Sequence, residues 1–585
     1  TKISGGPGSE TSLRRLFSPD ARFRLLDMLL WTWLGLGDGV RTGLRRVGLV
    51  LLAIAVLTPL LAVLGVGGTW LSVAVVVFYL VVIAVVVAGY RLDRVVRNLP
   101  KTGFGICPGA NPDVAPTMEA HKTKGWLADW LHATIQDVAG REVGQVPDPA
   151  PGVPVPDRAK PLTVGDLWAL QQVDGQSTPD LTRRLNLALT TTNLSHQLPH
   201  RFPYLERPRG ELYFRPEELR RVLPEDVVRW LVIASQEDAG DGYFRLPKPA
   251  DLPILLGIRL SLSFPILISA VPLHARDMGR PGDMLATPSR MECCWFSDGG
   301  ITSNFPISAF DTPLPSRPTF CVNLAEATVE RAAKLENVPL DERDDALVWM
   351  PPVDDQPHAP RLFDRLDGSL VKFIGAISTT ARNAHENELL LMPGYRDRIV
   401  EVATLADEGG LNLNMPPATI EALSRRGAWA SRELTERFAP GGEGWPVQRW
   451  VRFRSTMDAM ERLLQAFDGA WHRESHGAPT FAELRGRWAN ADALSCYPWP
   501  DEDTAKSADR VVEAVLGLAR TLDGEAEGLG ARIFDRPGSE RGAAPRPPLD
   551  LKMRPTGRDP DAPAGTAPPQ GFVGLAEGSS SPPLG

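Results

Sequence analysis

Three neighbouring segments decide the reading of the fold. Ser261–Leu273 is SLSFPILISAVPL, Cys293–Phe310 is CCWFSDGGITSNFPISAF, and Pro318–Leu324 is PTFCVNL. Strand-like apolar runs bracket the aromatic pair Trp295-Phe296, and the acidic turn Asp298-Gly299-Gly300 follows that pair directly. Glycine tolerates positive φ and close approach of another backbone, so an acid on such a turn can reach a partner on a different loop. A DGG turn alone is common. Here an SFPxLISAVP segment about 30 residues upstream and Asn304-Phe305-Pro306 just downstream accompany it.

Moving outward, Arg184–Thr192 alternates Leu185, Leu187 and Leu189 with polar neighbours, the period of a half-buried strand. Arg215–Arg220 opens with Pro-Glu-Glu and predicts a short helix, and Glu225–Ala234 predicts a second. Thr319–Leu324 reads as a short buried strand. Strands interleaved with helices predict an α/β core over residues 161–330. Residues 331–535 read as a mainly helical extension. Within it Pro416-Pro417 starts a helix through Leu423, and a last helix covers Ala508–Leu522. Trp450, Phe453, Met457, Met460, Leu464 and Phe467 recur at spacings of three and four, which predicts a helix facing the core. Residues 146–160 are a proline-rich linker after a 91–145 segment. The Pro-, Gly- and Ser-rich residues 536–585 predict a disordered tail.

Two charge-free runs stand apart. Val47–Leu64 has 18 residues and Trp70–Tyr90 has 21, each long enough for a helix crossing about 30 Å of hydrocarbon. Only Gly65–Thr69 separates them, so residues 47–90 predict a transmembrane helical hairpin. Arg41, Arg45 and Arg46 precede it, and Arg91, Arg94, Arg97 and Lys101 follow it. Basic flanks at both ends place both on the cytoplasmic side of an inner membrane. Residues 1–46 precede the hairpin, and within them Phe23–Leu36 fits an interfacial or a core helix equally.

Composition narrows the function. Lys and Arg number 63 against 71 Asp and Glu, a net charge of −8, which excludes general electrostatic attraction to nucleic acid. The five cysteines form no CxxC pair, which argues against zinc and against a disulfide framework. No phosphate-binding or dinucleotide glycine motif, HExxH or EF-hand loop is present. His472 and His476 share a helical spacing but lack a third ligand, so no metal or organic cofactor is expected.

The combination around Asp298 resembles the patatin-like phospholipases. Further carriers are PLTVGDLW (Pro161–Trp168), LALTTTNLSH (Leu187–His196), ELYFRPEELRR (Glu211–Arg221), PGYRDRIVEV (Pro393–Val402), EGGLNLNMPP (Glu408–Pro417) and RWVRFRSTM (Arg449–Met457). They are similar to a bacterial subgroup whose catalytic domain is interrupted by a membrane hairpin. The resemblance implies a patatin-like layered α/β domain and a Ser–Asp dyad, with Asp298 as the acid. Ser4 in Lys2-Ile3-Ser4-Gly5-Gly6 looks like the family's nucleophile elbow, with Gly5 and Gly6 as its oxyanion side. No GxSxG occurs, and only three residues precede Ser4. The expectation is therefore a chain lacking its first strand and glycine-rich oxyanion loop.

The implied function is a membrane-anchored acyl hydrolase acting on phospholipid or another acyl lipid, with the bilayer as partner and the catalytic domain facing the cytoplasm. The alternative is an inactive, membrane-tethered interaction protein that kept the fold and the Asp298 turn.

Overall fold

The structure is a computed structural model. It describes residues 98–534, except for 149–153, 170–184, 206–210, 236–237, 277–290, 303–311, 328–345, 352–372, 381–393, 409–414, 489–500 and further short gaps, together with scattered positions from 76 to 97. The chain divides into two compact units, residues 1–304 with 406–420 and residues 305–405 with 421–585.

In the first unit, Val76, Tyr79, Leu80, Ile83, Val86 and Tyr90 are helical and exposed. A 3-10 turn, Leu99–Thr102, leads into β1 (Gly105–Cys107). Helix α1 (Met118–Lys124) is capped by Thr117, whose hydroxyl accepts the Ala120 N–H at 3.2 Å. Helix α2 (Leu127–Val138) is capped through Asp129, whose carboxylate accepts the Trp126 N–H at 3.0 Å. Then come α3 (Val164–Ala169), β2 (Leu189–Asn193), β3 (Leu198–Phe202), β4 (Leu212–Phe214), α4 (Pro216–Leu219) and α5 (Glu225–Ala234). They are followed by β5 (Asp238–Gly240), β6 (Tyr243–Arg245), α6 (Ile254–Ser261), β7 (Ile266–Ile268), β8 (Val271–Arg276) and β9 (Met291–Asp298).

Seven of these strands form one antiparallel sheet in the order β3-β2-β9-β8-β4-β6-β5, while β1 pairs β7 in parallel. Helix α6 supplies Leu255, Leu256 and Leu260 to a core shared with Phe202, Phe214 and Phe296 and with Val227 and Leu231 of α5. Each such side chain contributes about 1.5–3 kcal/mol by leaving water. Gly257 lets α6 approach this closely, since a Cβ there would lie 2.6 Å from the Phe202 ring.

The second unit holds β10 (Cys321–Glu326), β11 (Val348–Trp349) and β12 (Ile399–Thr404) in the order β10-β12-β11, with β10 parallel and β11 antiparallel to β12. Among the described elements, four helices follow: α7 (Pro417–Phe438), α8 (Gly444–Trp471), α9 (Phe481–Trp488) and α10 (Glu502–Leu529). The chain is thus mixed α/β with a mainly helical C-terminal part. Helices α7 and α10 run well beyond the ends read from the sequence.

Four expectations are corrected or fall outside the structure. Strand β10 forms, but Val322 and Leu324 are exposed rather than buried, because β10 is the edge of a three-stranded sheet. Helix α8 is inverted relative to its apolar stripe. It buries Gln448, Arg452, Ser455, Asp458 and Glu461, whereas Trp450, Phe453, Met460 and Phe467 are exposed. Two of these groups find internal partners: Arg452 donates to the Thr312 carbonyl at 2.7 Å, and the Glu461 carboxylate accepts the N–H groups of Ile533 and Phe534 at 2.8 and 3.0 Å. The hairpin over 47–90 is not an element of the described fold. Among the described residues no helix is long and apolar enough to cross a membrane, and 47–75 lie outside them. The 536–585 tail also lies outside the described residues.

Candidate functional site

Asp298 is the last residue of β9, held between β2 and the end of α6. On one side it registers with Thr191 of β2. Its N–H donates to the Ser263 carbonyl at 3.0 Å, just beyond α6. That carbonyl also accepts the Ser297 hydroxyl at 2.8 Å. The Asp298 carbonyl accepts the Thr192 hydroxyl at 2.9 Å, and Thr192 Oγ1 lies 3.0 Å from Thr302 Oγ1. Main-chain and side-chain contacts therefore fix the backbone of Asp298 from both faces.

The half-buried carboxylate is oriented by its own turn. Asp298 Oδ1 accepts the Gly300 N–H at 2.6 Å, capping the 3-10 turn Gly299–Ile301. Gly299 is required by space, because a Cβ there would sit 2.1 Å from the Thr190 carbonyl oxygen. The turn thus packs its backbone on β2 and presents one oriented carboxylate. An acid held in this way can accept a proton from a hydroxyl brought to it, or orient that hydroxyl.

Behind the turn lies Arg259, fully buried in α6. It donates to Ser263 Oγ at 2.8 Å and to the carbonyls of Pro108 and Ser269 at 2.9 and 3.0 Å. Burial pulls its pKa down to about 10. Arg259 ties α6, the loop after β1 and the end of β7 into the scaffold that carries Ser263 and hence Asp298. The sequence reading did not single it out. The signal was available: one arginine in the apolar run ILLGIRLS, four residues before Ser263.

A second cluster has the outline of a cysteine site but the wrong proton arrangement. Cys294 Sγ lies 4.0 Å from His196 Nε2, and Asn193 Nδ2 lies 3.3 Å from His196 Nδ1. Asn193 Oδ1 accepts the N–H groups of Ser195 and His196, both at 3.1 Å, which turns the amide nitrogen toward the ring. His196 Nδ1 must then accept, so a neutral ring carries its proton on Nε2 and donates toward the thiol. Burial also raises the Cys294 pKa. This cysteine is not activated.

Of the residues singled out from the sequence, Asp298, Gly299 and Gly300 are brought together in one turn; Ser4, Gly5 and Gly6 lie outside the described residues. Among the described residues no group of three or more His, Cys, Asp or Glu is placed to hold a metal ion.

No family model matches the chain, and no solved structure matches it. Among curated proteins it is similar to the RpoH suppressor of Rhizobium meliloti (strain 1021), at 30% identity over 507 residues, which is 80% of this chain and 72% of that protein. The chain belongs to the same family as that protein.

Proposed function

We propose that this member of the RpoH suppressor's family is a membrane-anchored, patatin-like serine acyl hydrolase acting on phospholipid or another acyl lipid. The observation that carries the reading is the Asp298 turn: a carboxylate capped by Gly300, on a backbone pinned by Ser263 and Thr192. In this reading Ser4 is the nucleophile position, with Gly5 and Gly6 on its oxyanion side. Its hydroxyl attacks the ester carbonyl, Asp298 receives or orients the hydroxyl proton, and backbone N–H groups hold the oxyanion. No metal or organic cofactor takes part.

The membrane part of the proposal rests on charge-free residues 47–64 and 70–90 and their basic flanks. The exposed helical Val76, Leu80, Ile83 and Val86 support it, since a helix with those side chains outward suits lipid better than water. The domain would face the cytoplasm from the inner membrane, with its site held at the lipid surface.

A fluorophosphonate probe tests the nucleophile directly. Peptide mapping should place the adduct on Ser4 in the protein expressed from its complete coding sequence. An adduct on another serine moves the nucleophile, and no adduct favours the second reading, an inactive tethered interaction protein. The relative's name, which speaks of suppression rather than hydrolysis, is the observation on that side.

A further inference from the structure

Among the described residues nothing covers the aromatic face of α8. Trp450 is 58% exposed and Leu463 49%, with Phe453, Met460 and Phe467 also exposed on the same side. Trp450 stacks on Phe453 at 5.5 Å, and Phe467 lies against Trp471 at 5.4 Å. Trp471 stacks in turn on the exposed Phe481 of α9 at 6.5 Å. From Trp450 to Trp471 the stripe runs about 32 Å along the helix.

Charge on the helix is arranged to match. Asp458 and Glu461 are buried, and Asp468 is half-buried with Arg520 3.8 Å away, so α8 shows no exposed carboxylate. Arg449 is exposed beside Trp450 at one end of the stripe, and Arg473 is exposed just beyond Trp471 at the other, while Arg462 lies on another side of the helix, paired with Asp458. Protein-binding surfaces concentrate their aromatic anchors at a central spot. A long apolar line with a tryptophan and an arginine near each end is instead the pattern of a helix lying in a lipid interface.

We propose that α8 is a docking face for an anionic phospholipid surface, seated with Trp450, Phe453 and Phe467 among the acyl chains and the arginines at the headgroups. The inference stands apart from the hydrolase reading and from the hairpin, because it rests on the second unit alone.

The test reads α8 locally, so that a hairpin anchor elsewhere would not obscure it. Phe453→p-benzoylphenylalanine and, separately, Phe467→p-benzoylphenylalanine are placed in the full chain. Glu436→p-benzoylphenylalanine, at an exposed position of α7, is the control. Each is reconstituted in phosphatidylcholine vesicles with or without phosphatidylglycerol, irradiated and mapped by mass spectrometry. Lipid adducts are expected at 453 and 467 with phosphatidylglycerol present, and few at 436. Adding Arg449→Gln should cut their yield by about fivefold, the effect of one basic side chain at an anionic surface. Adducts to a second copy or to another protein overturn the proposal, as does a yield at 453 and 467 no higher than at 436. An equal yield without phosphatidylglycerol also overturns it.

Discussion

The N–H of Asp298 donates to the carbonyl of Ser263 across 3.0 Å, and this bond joins the two sequence segments from which the site was first read. SLSFP supplies the acceptor and FSDGG the donor. The acid is thereby referenced to α6 as well as to its own sheet, so damage to α6 should reach Asp298.

Replacing Arg259 tests that linkage. Arg259→Met removes the donors to the Pro108 and Ser269 carbonyls inside the core. Leaving each acceptor unsatisfied costs about 1–3 kcal/mol, so urea unfolding should shift to clearly lower midpoints. Ser263→Ala should cost less, because the bond to Asp298 comes from the main chain. Equal losses for the two variants would show that the arginine is not the organising group.

Gly299→Ala should damage the turn through sterics. The added Cβ meets the Thr190 carbonyl at 2.1 Å, so β2 and the turn must separate. The expected destabilisation is at least the roughly 1–3 kcal/mol of ordinary overpacking, read from thermal melting. An unchanged melt would mean that the turn does not pack on β2 as described.

A buried cluster in the first unit should give stability a two-sided pH dependence. His132 Nε2 and Asp226 Oδ2 are 2.8 Å apart, and Gly144 N–H also reaches Asp226 at 3.0 Å. Burial opposes the Asp226 charge, but His132 and that hydrogen bonding outweigh it and hold its pKa down to about 2. Its stabilisation is present above the ordinary 3.8 and is lost as pH falls toward about 2. Burial lowers the His121 pKa below 6.5, so the fold also loses stability as acid forces a proton onto that ring.

Asp129 runs the other way. Burial raises its pKa to about 6 against the N–H groups of Trp126 and Asn111. The folded state then holds the proton more tightly than the unfolded chain, so its contribution declines as pH rises from 3.8 to about 6. Compared with Asp129→Asn, the native protein should melt relatively lower at about pH 7 than at about pH 4. The opposite trend would contradict the burial of this carboxylate.

What could be read from the sequence followed from local chemistry. Asp298-Gly299-Gly300 was legible because only glycine fits against Thr190, and α5 was legible as a helix over Glu225–Ala234, the bounds it has in the structure. The inversion of α8 was not. Spacings of three and four report a two-faced helix, but which face turns inward depends on Thr312, Ile533 and Phe534, far away in the chain. Exposure of Val322 and Leu324 likewise depends on β10 being a sheet edge, which no local pattern encodes. Arg259 was overlooked because its role lies in carbonyls contributed by two other loops.

The most direct test of the central claim is ester hydrolysis by Asp298→Asn in the protein expressed from its complete coding sequence. The substitution keeps the size of the side chain and the oxygen that caps Gly300, and removes the charge. Turnover should fall by about 10²–10⁴-fold with melting nearly unchanged, as for loss of a general base. Asp277→Asn and Asp311→Asn, acids outside the DGG turn, should keep native turnover. Full activity in Asp298→Asn would contradict the account.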